Sequence, residues 1–351
     1  MKGARHLHWS WLCLLVLLAG CAGSPGDLDA ERHARAGLAI QAVYEQALPT
    51  LPAAKQRHYA QRLYRLTGDD RYLPPNRAYG ERLLDWLERD LAALEEPGHA
   101  AQRSRELVEA YSQRTAKQRA RREMFAEWEE MIFARQLLFR LIQAEYHGLL
   151  PALEERERGL AYLASVDWLA FFTDPDVLRI YAAQVANQAH FLHQLGVIDL
   201  REEVVAAFRA RYPPGIAASL ARDETHNWLY GLTHFVIAAS RYYQQPVSAE
   251  EFTWVLATFE DEEERILGLA TEDILAEVAL SFLLAGREDH PLVLRIRDAL
   301  VAAVDPEAGI IPSPQGSLDL AGGEHRNVLA IMVLRWPDTL HPGPNLSDRL
   351  L

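Results

Sequence analysis

Cysteine is almost missing from this chain: of its 351 residues only Cys13 and Cys21 carry a thiol. Both lie within the first 21 residues, so the rest has no disulfide, thiolate nucleophile or zinc–sulfur site. Cysteine catalysis is excluded. Lysine is scarce too, at positions 2, 55 and 117, which reflects the base composition of the genome and carries no functional message. Alternating β-branched runs joined by Asn-Gly or Asp-Gly turns are missing, which points away from sheets. GxSxG, GxGxxG and GxxxxGK(S/T) are absent as well, so the nucleophile elbow, the dinucleotide fold and the P-loop have no support. Positive charge is outweighed: 36 Lys and Arg face 49 Asp and Glu, a formal charge of −13. That argues against broad nucleic-acid binding. One basic segment stands apart, RTAKQRARRE, Arg114 to Glu123. It reads as a solvated helix face, with contact to anionic lipid as the other reading.

What is present begins with a leader. Lys2 and Arg5 precede the apolar run WLCLLVLLAG, Trp11 to Gly20, too short to span a bilayer as a stable helix. The run ends in LAGC, Leu18 to Cys21. This is the form of a bacterial lipoprotein signal, in which the cysteine is acylated, palmitate included, and becomes the mature N-terminus. An ordinary secretory signal with a chance cysteine is the other reading. Residue 22 is Ala rather than Asp, which by resemblance to enterobacterial sorting favours the outer membrane. The expected organisation is a signal peptide over residues 1–20, a lipidated Cys21 and flexible tether over 21–29, and one helical domain over 30–351. The chain is expected to be lipid-anchored on the periplasmic face of the bacterial outer membrane.

Helical periodicity dominates the domain. In FAEWEEMIFARQLLFRLIQ, Phe125, Trp128, Ile132, Leu138, Phe139 and Ile142 fall on one face, which predicts a long helix from about Gln102 to Tyr146. A weak repeat matters more. HYAQRLYRLTGDDRYL, from His58, registers on HFVIAASRYYQQPVSA, from His234, with Arg65 falling on Arg241. EVALSFLLAGREDHPL, from Glu277, fits with a one-residue slip, and ANQAHFLHQLGVIDL, from Ala186, fits loosely. Each unit is an apolar helix, a short turn and a more charged helix. The fold class is therefore all-α, an (α/α) toroid of about six helical hairpins that is irregular in its N-terminal half. Inner helices are expected to begin near Lys55, Glu130, Val177, Thr225, Thr271 and Gly323. An open α-superhelix is the alternative.

KQRHYAQRLYRLTGDDRYL, HNWLYGLTHFVIAAS and ILAEVALSFLLAG resemble a bacterial family known only as a domain of unknown function, number 3541, over most of the mature chain. That resemblance supplies no catalytic residues. At fold level the chain is also similar to six-hairpin glycosidase-like proteins, a class that includes glycoside hydrolases, polysaccharide lyases and sugar epimerases. That likeness implies a fold and does not by itself assign an activity.

Connections from inner to outer helices are short, whereas those returning, at residues 165–176, 211–224 and 305–324, are long. Long loops on a rigid scaffold usually carry function, so a site is expected at the mouth they form. Glu277 and His234 are the candidate acid–base pair. His58, His226, Asn227, Tyr230, Asp273, His325 and Asn327 are the candidate substrate-binding residues. Simpler roles compete. Asp223, Thr225 and Thr271 suit N-caps and Glu224, Glu272 and Asp273 suit a first turn, while His58 and His234 also suit a hydrogen-bonded core. Glu277 lies within ILAEVALSFLL, where a carboxylate is costly unless paired or wet. Trp168, Phe171, Phe172, Trp228 and Tyr230 fit either stacking on a sugar or packing the rim. His190 and His193 have i, i+3 spacing but no third ligand at a diagnostic distance, so no metal and no cofactor is expected. The function expected is binding, with processing left open, of a polar carbohydrate or cell-envelope ligand. The alternative is a non-catalytic envelope scaffold or assembly protein that holds another protein.

Overall fold

A computed structural model describes residues 25–350. The leader and Cys21, with the lipidation expected there, lie outside the described residues. Among the described residues no strand forms. The helices are α1 (Pro25–Ala47), α2 (Ala53–Thr67), α3 (Leu73–Ala93), α4 (His99–Glu109), α5 (Ala116–Glu127), α6 (Met131–Tyr146), α7 (Arg156–Ser165), α8 (Trp168–Thr173) and α9 (Pro175–Gln194). They continue with α10 (Arg201–Arg211), α11 (Arg222–Ala239), α12 (Thr253–Asp261), α13 (Glu263–Leu269), α14 (Glu272–Leu284), α15 (Pro291–Ala302), α16 (Leu320–Leu334) and α17 (Ser347–Leu350). Helix α1 begins inside the stretch expected to be a tether.

Two kinds of helix are distinguished by their sequences. In α14 every residue from Ile274 to Leu284 is buried, as an apolar helix surrounded by others must be. In α10 only Val204 and Phe208 are fully buried, Val205 and Ala207 are partly covered, and most of the remainder faces water. The enclosed helices contact one another in a cycle. Gln61 on α2 donates to Gln143 on α6 (3.3 Å), and Tyr146 on α6 donates to Gln194 on α9 (2.5 Å). Asn187 on α9 meets His234 on α11 (3.0 Å), and Thr233 on α11 donates to Glu277 on α14 (2.7 Å). His325 on α16 lies 3.6 Å from Glu277, and Glu324 beside it returns to His58 on α2 (2.6 Å). Helices α1, α3, α4, α10, α12 and α15 pack outside these six. The order of contacts is compatible with an (α/α) toroid, with α4, α5, α7 and α8 as the irregular portion.

The long helix expected from Gln102 to Tyr146 is three helices. Thr115 interrupts it with a capping box: its hydroxyl accepts from the Gln118 N–H and the Gln118 side chain accepts from the Thr115 N–H. A second break falls at Trp128, with φ −114° and ψ 90°. The apolar period survives both breaks because Phe125, Ile132, Leu138 and Ile142 reach the core from either side, whereas Phe139 turns outward. The expected caps also shift. Helix α11 starts before Asp223 and Thr225, with Ala221 at its N-cap and no side-chain cap. Thr271 does occupy the N-cap of α14, but its hydroxyl donates to the Asp273 side chain (2.5 Å).

The end opposite the helix N-termini is crossed by the C-terminal segment. Arg65 at the end of α2 donates to the Gly343 carbonyl (2.9 Å), His147 after α6 bonds the Pro344 carbonyl (2.9 Å), and Gln244 after α11 accepts from the Gly343 N–H (2.8 Å). Beside this floor Arg241, Tyr242 and Tyr243 all have positive φ, at 54°, 59° and 68°. Non-glycine residues pay roughly 1–2 kcal/mol each in this left-handed region. Arg65 also donates to the Tyr242 carbonyl (2.8 Å), tying the strained turn to the floor.

Candidate functional site

His58, Glu277 and His325 are each the sixth residue of their helix, roughly 7–8 Å from its N-terminus by helical rise. Three inner helices therefore bring their polar side chains to one level. His234 reaches the same level from deeper in α11, which starts earlier relative to its partners. Together with Lys117, Arg121, Gln184, Asn227 and Tyr230, the residues His234, Glu277 and His325 line a pocket of about 290 Å³. The side chains are graded in depth, with Glu277 2% exposed, His234 16% and His325 37%.

Glu277 is the floor of this pocket. One oxygen accepts from Thr233, and the carboxylate stands 3.8 Å from His234 Nε2 and 3.6 Å from His325 Nε2. Those two separations are ion-pair distances but too long for hydrogen bonds. His234 is oriented from behind, because Asn187 Oδ1 can only accept and so assigns the proton to Nδ1. Burial lowers the His234 pKa, against an upward pull from Glu277. The imidazole is thus neutral, with an Nε2 lone pair on the Glu277 side. A base oriented by a third group beside a carboxylate can take a proton from a bound hydroxyl or return one.

A second pair lies next to it. Glu324 is fully buried, with one oxygen 2.6 Å from His58 Nδ1 and the other 3.5 Å from the Lys55 ammonium. Burial pushes the Glu324 carboxyl up against the pull of Arg62 and Lys55, and burial with the charge of Arg62 pushes His58 well down. The His58 and His325 rings are 5.3 Å apart, so this pair adjoins the pocket through His325.

Tyr230 donates to Asp273 (2.5 Å), which also accepts from Thr271. Burial raises the Asp273 pKa, but these two hydrogen bonds outweigh it and hold the carboxyl below its usual range. Asp273 thereby fixes the Tyr230 ring at the pocket wall. Asn227 also lines the pocket, with its amide bonded to the Leu178 and Arg179 carbonyls at 3.1 and 2.7 Å. Those carbonyls lie just before Tyr181, where α9 leaves helical geometry, so Asn227 stabilises a kink as well as forming a wall.

Two expected site residues lie elsewhere. His226 bonds the Leu269 carbonyl (3.0 Å) and ties α11 to the end of α13. Asn327 is fully buried and spends its amide on Ile311 and Gly323. Of the aromatics, Trp168, Phe171 and Phe172 are buried on α8 and form a core cluster with Phe125 and Tyr181. Trp228 is 4% exposed, which leaves Tyr230 as the ring of that set at the pocket. His190 is buried, its pKa pushed down to about 3 by burial, whereas His193 lies 3.1 Å from Asp199.

Sequence reasoning did not place Lys117, Arg121, Gln184, Asn187 or Thr233 at the site. The signal for the first two was the basic segment, read as a solvated face. Neither a curated protein nor a solved structure matches the chain. Residues 33–350 match one family, and on that match the chain belongs to the family described as a domain of unknown function, DUF3541.

Proposed function

We propose that the pocket binds a polar carbohydrate of the cell envelope, on a lipoprotein held by Cys21 at the periplasmic face of the outer membrane. The observation that carries this reading is Glu277: a nearly buried carboxylate at the base of an open pocket, flanked by two imidazoles that it does not hydrogen-bond. A structural ion pair would close those gaps, since a buried charge gains most at contact distance. At 3.6–3.8 Å neither imidazole hydrogen-bonds the carboxylate, so a ligand hydroxyl resting above the three groups can bond Glu277 and an imidazole together. In this reading His234 exchanges a proton with the ligand, Glu277 balances the charge that His234 acquires, and Tyr230, Asn227 and His325 shape the wall.

A panel of envelope glycans, added to the detergent-solubilised full chain, tests the reading by calorimetry and by product analysis. Binding that Glu277→Gln weakens supports it. The absence of binding by any glycan, together with recovery of one stoichiometric envelope protein on pull-down, would replace it with the scaffold reading.

A further inference from the structure

The basic segment of α5 does not simply face solvent. Lys117 and Arg121 line the pocket opposite Glu277. Arg121 lies 4.9 Å over the Tyr181 ring and donates to Gln184 (3.0 Å), and the Lys117 ammonium lies 5.4 Å from the Tyr230 ring. Partial desolvation at the cleft and the charge of Arg121 lower the Lys117 pKa, against the upward pull of Asp273, Asp223 and Glu277.

A second pocket of about 260 Å³ adjoins the first, and Gln184 lines both. Phe139, Tyr181, Phe191 and Tyr242 wall it, with Arg135 and Gln188 as polar members. Arg135 lies over Phe125 and Tyr181, at 5.2 and 5.9 Å. Among the described residues, none of Lys117, Arg121 and Arg135 forms an ion pair with a carboxylate. Nε of Arg121, Nε of Arg135 and Oε1 of Gln188 are buried without hydrogen-bond partners. In a chain with 49 acidic residues against 36 basic, three cations without carboxylate partners gathered along one cleft require a reason. Unpaired buried polar groups are costly unless a ligand completes them.

We infer that the ligand is an acidic oligosaccharide of at least two units, its anionic group held between Lys117 and Arg121 and its neighbouring ring laid against Phe139 and Tyr242, the accessible rings of the second pocket. This rests on the carbohydrate reading above and specifies its ligand. Gln184 marks the junction of the two subsites. Arg135 and Gln188 supply the polar contacts of the aromatic one, the usual division of labour in a mainly apolar ligand pocket.

Calorimetry on the full chain in detergent tests this with matched tetrasaccharides: one neutral, one carrying carboxylates and one carrying sulfates, each beside its monosaccharide. An acidic tetrasaccharide is expected to bind at least about tenfold more tightly than the neutral one and than its own monosaccharide. Whichever of the carboxylated and sulfated forms binds identifies the anion. Lys117→Gln, and Lys117→Gln with Arg121→Gln, are expected to lower affinity for the acidic tetrasaccharide at least about tenfold, to that for the neutral one. Equal affinity for neutral and acidic glycans overturns the inference while the carbohydrate reading stands. An acidic preference that survives in both variants also overturns it. Failure of the wild type to bind any glycan removes both.

Discussion

Glu277 and His234 approach to 3.8 Å without a hydrogen bond, although each is fixed by its own partner, Thr233 for the carboxylate and Asn187 for the imidazole. Their spacing is therefore set by three helices, α9, α11 and α14, rather than by their mutual attraction. Glu277→Gln keeps an acceptor for Thr233 and removes the charge. For any glycan the wild type turns over, this variant and His234→Asn are each expected to lower kcat by about 10²–10⁴-fold. Their melting temperatures should stay near that of the wild type. Steady-state kinetics with parallel melting curves checks this, and unchanged kcat in the double variant removes the acid–base assignment.

His147 makes the floor of the ring sensitive to acid. Its Nδ1 donates to the Pro344 carbonyl and its Nε2 accepts from Gln61, so only the neutral ring satisfies both. Burial pushes its pKa down to about 3. The unfolded chain, with a pKa near 6.5, binds the proton first as pH falls. Stability from this group is therefore complete above about pH 6.5 and is lost progressively down to about pH 3. The loss at pH 5 is about 2 kcal/mol from His147 alone. The lowered pKa values of His58, His190 and His234 act in the same direction. Urea unfolding at pH 7 and pH 5 measures the total, and His147→Gln should reduce the difference. Exchange of the Leu346 amide, which bonds the His147 carbonyl, should quicken in acid before global unfolding.

Arg65 is 1% exposed and, among the described residues, pairs with no carboxylate; its donors go to the carbonyls of Gly343 and Tyr242. Burial lowers its pKa to about 9, which leaves it charged at neutral pH. Arg65→Gln would orphan both carbonyls and release the left-handed turn from the floor. The expected loss is about 3 kcal/mol in denaturant titration. A change within a few tenths would mean that the floor is held by other contacts.

Gly231 lies where α11 meets α9 and α10. A Cβ there would stand 2.5 Å from a ring carbon of Phe208 and 3.0 Å from Ala182 Cβ. Although alanine favours a helix, Gly231→Ala is expected to destabilise by about 1–3 kcal/mol through overpacking. Adding Phe208→Leu should recover part of that loss, and chemical denaturation of the single and double variants measures both effects.

Of the six enclosed helices, α6, α9, α11, α14 and α16 were legible because burial leaves long apolar stretches, whereas the polar α2 was placed by the register of His58 on His234. The expected starts at Lys55, Glu130, Thr271 and Gly323 lie within three residues of the observed Ala53, Met131, Glu272 and Leu320. Glu277 was legible for the same reason: a carboxylate among Leu, Ala and Val stands out. Asn187 and Thr233 were not, since a small polar side chain in an inner helix gives no sign of which neighbour it meets. Lys117 and Arg121 were read as surface because an exposed cation and one facing a cleft have the same local sequence. What separates them is the break at Thr115, which swings α5 across the pocket. Asn327 and His226 show the opposite error, in which residues near a helix start are taken up by backbone groups, of Ile311 in a loop and of Leu269 at the end of α13, that sequence cannot position.

The floor has a kinetic consequence. Arg65 waits for Gly343, 278 residues later in the chain, and Glu324 waits for His58 across 266. Helix pairs such as α9 and α11 can form from nearby sequence, but the cycle joins only when residues near the two ends meet. Contacts this distant along the chain slow folding, because loop closure must precede the gain. During synthesis the unjoined pairs would expose apolar flanks, among them the faces of α2 and α16 destined for each other. The stage most open to aggregation is therefore the last, and a chaperone that shields the two ends would shorten it more than one that aids any single helix pair.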